Sequence, residues 1–133
     1  EFMARAGIGK MTIVDGDDVD ETNINRQLIA LTTTVGKSKC DLMAERILQI
    51  NPEIELNVIN EFLNPERMEE VVSGGFDYVL DCIDSIRPKI TLIKVCTRKK
   101  IKIVSSMGAG GKVDPTRLEI SNISKTYNGF NKT

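Results

Sequence analysis

Short apolar runs that end at a carboxylate, separated by stretches of helical periodicity, constrain this chain most. Met11-Thr12-Ile13-Val14 runs into Asp15, and Val79-Leu80 runs into Asp81. Elsewhere the apolar residues recur at helical spacing: Leu42, Met43, Ile47 and Ile50 in one stretch, Ile86, Ile90 and Ile93 in another. Parallel neighbours in a sheet need a crossover long enough to hold a helix. Strands alternating with helices of this length therefore imply an α/β fold, a Rossmann-like doubly wound and mostly parallel sheet. With 133 residues, 41% of them hydrophobic, one domain with a modest core accounts for the chain.

The spacing predicts an order of elements. Glu1 to Ala6 reads as the last turns of a helix stopped by Gly7 and Gly9. Gly7-Ile8-Gly9 follows a helix rather than a strand, so it is an αβ turn and not a phosphate loop. Lys10 to Asp15 is a strand, and Asp17, Asp18, Asp20 and Glu21 form a solvated acidic loop in which a metal site is the sharper and less favoured reading. Thr22 or Asn23 caps a short helix carrying Arg26, Gln27, Leu28 and Ile29. Ser38 caps a long helix over Lys39 to Ile50, stopped by Asn51-Pro52. Ile54, Leu56, Val58 and Phe62 alternate as a strand with one exposed face. Asn64-Pro65 opens a helix to Val72, and Gly74-Gly75 ends it. A buried strand follows, from Phe76 through Tyr78, Val79 and Leu80 to Asp81. Ile86 to Lys99 is a helix with Pro88 in its first turn, and Ile86, Ile90 and Ile93 share its apolar face. Ile101 to Ser105 is a strand, Met107 to Gly111 a flexible loop, and Arg117 to Ser121 a last strand. Beyond Lys125 the chain is polar and expected to fray.

Composition excludes several classes. The net charge of -1 gives no global field toward nucleic acid or membrane. No apolar run approaches the roughly 20 residues of a membrane span, and no signal peptide is legible. A cytoplasmic location is the expectation. Cys40, Cys82 and Cys96 are isolated and there is no histidine, so no zinc site is expected. Cys82 reads as a small buried apolar residue.

The candidate site starts at Asp15. The carboxyl ends of strands face the ligand crevice in open α/β sheets, and a carboxylate there can accept from both ribose hydroxyls of a nucleotide. Arg26 can grip two phosphate oxygens with its planar guanidinium. Asn23, Asn25 and Gln27 around it build no core, which favours a functional reading. Lys39 sits at a helix N-terminus, where a cation is electrostatically misplaced, and a phosphate would resolve the conflict. Asp84 and Ser85 lie at another helix entrance, where either can cap. Arg98-Lys99-Lys100 and Lys102 form a basic run that suits a helix C-terminus better than an RNA contact.

Asp15, Thr22-Asn23-Ile24-Asn25-Arg26-Gln27, Lys39 and Asp81-Cys82-Ile83-Asp84 together resemble the ATP-adenylating domain shared by ubiquitin-activating enzymes and the bacterial ThiF/MoeB/HesA proteins. The resemblance covers nearly the whole of residues 1–133. It implies ATP and magnesium as cofactors, with Asp15, Asn23, Asn25, Arg26, Gln27, Lys39, Asp84 and Ser85 binding ATP. It makes Arg26, Lys39 and Asp84 catalytic, with Asp84 the magnesium ligand. It also implies a partial domain: in this family a first strand and a glycine-rich phosphate loop precede the position of Glu1. These residues alone are then expected to be inactive, and the strands at Met11–Asp15 and Tyr78–Asp81 are expected not to pair. Many family members carry zinc on two C-x-x-C pairs, which this chain lacks.

Asp84-Ser85-Ile86-Arg87-Pro88-Lys89 together with Gly108-Ala109-Gly110-Gly111-Lys112-Val113-Asp114-Pro115-Thr116 is similar to the tRNA threonylcarbamoyladenosine dehydratase branch. That similarity implies cyclising dehydration of a modified tRNA adenosine by adenylation, with tRNA as substrate and a homodimer as the assembly. A sulfur-transfer protein is a further partner it allows. The alternative is an adenylyltransferase acting on the C-terminus of a ubiquitin-like sulfur carrier, which shares every ATP residue.

Overall fold

The computed structural model describes residues 1–108 and 113–125. Glu1–Phe62 and Leu63–Thr133 form two compact units.

The first unit opens with helix α1 (Phe2–Arg5) and passes through Gly7, at φ +83, into strand β1 (Lys10–Val14). A 3-10 turn (Glu21–Asn23) and loop lead to helix α2 (Lys39–Ile50), then strand β2 (Glu55–Ile59). β1 and β2 pair in parallel from Lys10↔Glu55 to Val14↔Ile59. α2 begins at Ser38, whose Oγ accepts from the Asp41 N–H at 3.1 Å, satisfying one of the orphan donors of its first turn. Ala4, Ile47 and Ile54 are buried together, with Met11, Ile13, Met43, Ile50 and Leu56 packed around them. The carboxylate of Glu1 takes hydrogen bonds from Arg46 on α2 and from Arg5.

The second unit is helix α3 (Pro65–Val72), strand β3 (Tyr78–Asp81), helix α4 (Ile86–Lys99) and strand β4 (Lys102–Ser105). Asn64 caps α3 by accepting from the Arg67 N–H at 2.8 Å, with Pro65 at the first helical position where no donor is missed. β3 and β4 pair in parallel from Tyr78↔Lys102 to Asp81↔Ser105. Met68, Val72, Leu92, Val95 and Cys96 are the core, joined by Leu63, Val79, Ile83, Ile101 and Ile103. Both strand pairs are thus parallel, each crossed over by a helix. β1 takes β2 as its partner and β3 takes β4, so the two apolar runs that end at Asp15 and Asp81 lie in different two-stranded sheets, as expected.

Several expectations are corrected. The cap of the turn before Arg26 is Asp20, not Thr22 or Asn23, and residues beyond Asn23 form turns rather than a helix. The buried face of α4 runs through Lys89, Leu92, Val95 and Cys96, while Ile86 and Ile90 are exposed. Two lines at helical spacing compete on this helix, and the one containing a lysine is the one that packs. β3 is not buried throughout: Tyr78 and Leu80 are exposed on the face opposite Val79 and Asp81. The alternation of a strand leaves them on the side that α4 does not cover. Cys82, just past the strand, is exposed as well. Phe62 lies outside β2 and is exposed.

Arg117 to Ser121 forms no strand. Asp114 accepts from both the N–H and the hydroxyl of Thr116, which starts a 3-10 turn at Pro115–Arg117, and Leu118 and Ile120 stand in solvent. Leu118 is extended in its backbone, but among the described residues the segment has no ladder partner. The glycine-loop residues Ala109 to Lys112 and everything beyond Lys125 lie outside the described residues.

Candidate functional site

Asp15 stands one residue past β1. Its N–H donates to the Ile59 carbonyl at 3.2 Å, and its Oδ1 accepts the Asp17 N–H at 2.9 Å. Gly16 between them is a close approach: a Cβ there would lie 2.6 Å from the Phe62 nitrogen and 2.7 Å from its ring. Asp17 then reaches across to α2. Its Oδ2 pairs with Lys39 Nζ at 3.0 Å, and its carbonyl accepts the Lys39 N–H at 3.0 Å. Asp18 bridges to Ser38, the Val19 N–H donates to Lys37, and the Gly36 N–H returns to Val19 with Gly36 at φ +79. The acids of the loop are exposed, as expected, while its backbone is zipped along the entrance of α2.

This zipper explains how Lys39 is tolerated. A cation in the first helical turn opposes the helix dipole, and the Asp17 carboxylate offsets it. The Lys39 side chain is only 12% exposed while that of Asp17 is 53% exposed, so the ammonium lies recessed under its partner. Next to it, burial pushes the Cys40 thiol up, and the Asp15 charge adds to that.

Arg26 is set by a second device. Asp20 and Asn23 make a reciprocal capping box, each side chain accepting from the other's N–H, with Asn23 Oδ1 at 3.1 Å from the Asp20 nitrogen; the Asp20 side chain also accepts from the Thr22 N–H at 2.8 Å. The side-chain and backbone bonds from Thr22 hold the Asp20 carboxyl below the usual carboxylate range. Asn23 is buried, so its side chain shapes the turn. Arg26 is exposed, with Nη1 donating to the Thr22 carbonyl at 2.7 Å and to Asn25 Oδ1 at 2.9 Å. Gln27 is half-buried, its N–H donating to the Asn23 carbonyl at 2.9 Å. The structure thus links Asp15 to Lys39 through Asp17, and Arg26 to Asn23 and Asn25 through one turn, all within the first unit.

Asp84 and Ser85 belong to the second unit. Both are exposed, and Ser85 Oγ donates to Asp84 Oδ1 at 3.3 Å. Ser85 occupies the N-cap position of α4 but makes no side-chain capping bond. The basic run is partly engaged: Arg98 pairs with Glu69 at 2.6 Å, and Lys102 lies 5.1 Å from the centre of the Tyr78 ring.

Sequence reasoning gives no partner to Asp17, one acid among four in its loop, or to Lys89, which enters only as the end of the Asp84–Lys89 motif. Lys89 Nζ lies 2.7 Å from Asp81 Oδ2, with both side chains out of solvent. The available signal was a lysine in line with Leu92 and Cys96 at helical spacing.

The ThiF family profile matches residues 1–133. A Haemophilus influenzae tRNA threonylcarbamoyladenosine dehydratase is 47% identical over 126 residues, 95% of this chain and 48% of that protein. The Bacillus subtilis protein of the same name is 50% identical over 127 residues, 96% of this chain and 50% of that one. A crystal structure of the E. coli tRNA N6-threonylcarbamoyladenosine dehydratase TcdA in complex with ATP superposes with a TM-score of 0.91 at 48% identity, covering 94% of this chain and 51% of that chain. The chain spans about half the length of the curated relatives it matches.

Proposed function

The chain belongs to the ThiF family, and on that premise we propose that the whole protein uses ATP to adenylate a carboxylate, cyclising threonylcarbamoyladenosine in tRNA with net loss of water. A carboxylate oxygen attacks the α-phosphorus of ATP and pyrophosphate leaves. The activated side chain then closes on itself and releases AMP, which carries off the oxygen. The observation that supports this best is the likeness, across 94% of the chain, to a dehydratase holding ATP.

In this reading Asp15 binds the ribose hydroxyls, with its Oδ1 held by the Asp17 N–H. Arg26 and Lys39 neutralise the phosphates, and electrostatic stabilisation of this kind is the main catalytic contribution in such transfers. Asn25 and Gln27 line the same turn, and Asn23 contributes by holding it. A phosphate displaces Asp17 as the partner of the recessed Lys39 ammonium. Asp84, an exposed carboxylate with the Ser85 hydroxyl beside it, suits a magnesium ion that takes its other oxygens from phosphates and water. Magnesium would supply charge neutralisation on the phosphates. We further propose a cytoplasmic location and, from the family resemblance, a homodimer.

The test uses the full-length protein with ATP and threonylcarbamoyl-modified tRNA. The expected product is a nucleoside one water lighter by mass spectrometry of digested tRNA. ATP use that depends on a protein ending in Gly-Gly, with tRNA mass unchanged, would replace this reading with sulfur-carrier adenylation.

A further inference from the structure

Asp81 ends β3 with its side chain turned into the unit, 1% exposed, and every one of its oxygens is engaged. Oδ1 accepts the Ile83 N–H at 3.0 Å. Oδ2 accepts from Lys89 Nζ at 2.7 Å and from the Ser105 hydroxyl at the end of β4. Its carbonyl accepts from the Ser106 N–H at 2.9 Å and the Ser106 hydroxyl at 3.2 Å. Ser105 Oγ in turn accepts the Met107 N–H at 3.1 Å, and lies 3.5 Å from Lys89 Nζ. Met107 is held at φ +56, a conformation a non-glycine residue adopts only under constraint.

One buried carboxylate thus ties together the two turns that leave adjacent parallel strands at their carboxyl ends, the side on which open α/β sheets take ligands. Those turns are Asp81–Asp84 and Ser105–Met107. Lys89 comes up from the second turn of α4, buried to 1% exposure. A buried ion pair is weak evidence for stability, since an apolar pair of similar volume would often serve as well. A lysine kept in an otherwise apolar line therefore asks for another explanation.

We propose that Lys89 is a positioning residue: through Asp81 it fixes the Asp81–Asp84 and Ser105–Met107 turns, and so the placement of the exposed Asp84 carboxylate. This rests on the reading of Asp84 as a nucleotide-site residue, but the positioning itself is measurable without any nucleotide.

The experiment compares full-length wild type with Lys89→Met and Ser105→Ala. Lys89→Met keeps the volume and removes the charge; Ser105→Ala removes one arm and leaves the ion pair. Amide hydrogen exchange without ligand reads the positioning. We expect exchange about tenfold faster in residues 81–84 and 105–107 of Lys89→Met, with residues 92–96 of α4 unchanged, as expected when loops open independently of a core. Turnover is then expected to fall about 10- to 100-fold, the usual effect of losing a group that orients a metal-site carboxylate. Ser105→Ala should loosen residues 105–107 and lower turnover by about threefold to tenfold on the same grounds. If Lys89→Met does not fold, Ser105→Ala decides alone. Exchange that rises evenly across β3, α4 and β4, or loops no faster than wild type, overturns the proposal. If wild type itself fails to use ATP, the reading of Asp84 fails, while the exchange result still decides whether Lys89 holds the turns.

Discussion

Replacing Gly16 by alanine tests whether the strand-end geometry around Asp15 is as tight as it looks. A Cβ built on Gly16 sits 2.6 Å from the backbone nitrogen of Phe62, 2.7 Å from Cδ2 and 2.8 Å from Cγ. Ordinary carbon contacts lie at about 3.5–4.0 Å, so the chain after β2 must retreat by roughly an ångström. Overpacking of this kind costs about 1–3 kcal/mol. For a chain of 133 residues each kcal/mol is about 4 °C in Tm, so a drop of several degrees is expected. The nearest atom is backbone, so Phe62→Ala should rescue Gly16→Ala only in part. Asp15 is adjacent and bonded to Ile59 on the same strand end, so ATP affinity should weaken in step. Thermal melts of wild type, both single variants and the double variant, with ATP titrations on each, make the measurement. A Gly16→Ala variant within about 0.5 kcal/mol of wild type, or full rescue by Phe62→Ala, would refute the argument.

Arg26→Ala and Asp84→Ala in the full-length protein should each lower turnover by about 100-fold, the scale of losing one charge-stabilising group, whereas Lys100→Ala should leave ATP use unchanged; steady-state kinetics separate these. Of the cysteines, exposed Cys82 should react quickly with a thiol reagent, while Cys40 and Cys96, whose thiols burial pushes up, should react slowly. Cys82→Ser should remove the fast phase. The hydrogen bonds from Arg46 and then Arg5 lower the Glu1 carboxyl from 4.5 to about 2. Because its folded value lies below its unfolded one, its stabilisation is present above about pH 4.5 and is lost as pH falls toward 2. Glu1→Gln should flatten that part of a stability-against-pH curve.

The helices were legible because their limits are written in local chemistry. Ser38 and Asn51-Pro52 bracket α2, Asn64-Pro65 and Gly75 bracket α3, and all three long helices keep the ranges their caps and breakers imply. Which face of a helix packs is not local. On α4 the line Ile86–Ile90–Ile93 is the more apolar, yet Leu92, Val95 and Cys96 meet Met68 and Val72. The decision is made by where α3 and β3 lie, and a single-helix pattern holds no record of it. The missing strand at Arg117–Ser121 has a similar cause: its apolar residues describe a strand's preference, but a ladder partner supplies a strand's hydrogen bonds.

At the proposed site, residue type singled out the candidate binders and passed over the groups that hold them in place. Asp15, Lys39 and Asp84 drew attention at a strand end or a helix entrance, and Arg26 among polar neighbours that build no strand or helix face. Asp17 and Lys89 carry charges whose partners are other residues of the chain, Lys39 and Asp81. Those partners lie 22 and 8 residues away and in different elements, Asp17 in a loop and Lys39 in α2, Asp81 in β3 and Lys89 in α4, so the pairs exist only once the unit is folded. The two pairs differ in burial. Asp17, the partner of recessed Lys39, is half-exposed, which on our proposal lets a phosphate take its place. Asp81 and Lys89 are both buried, which on our proposal suits a fixed reference for two loops.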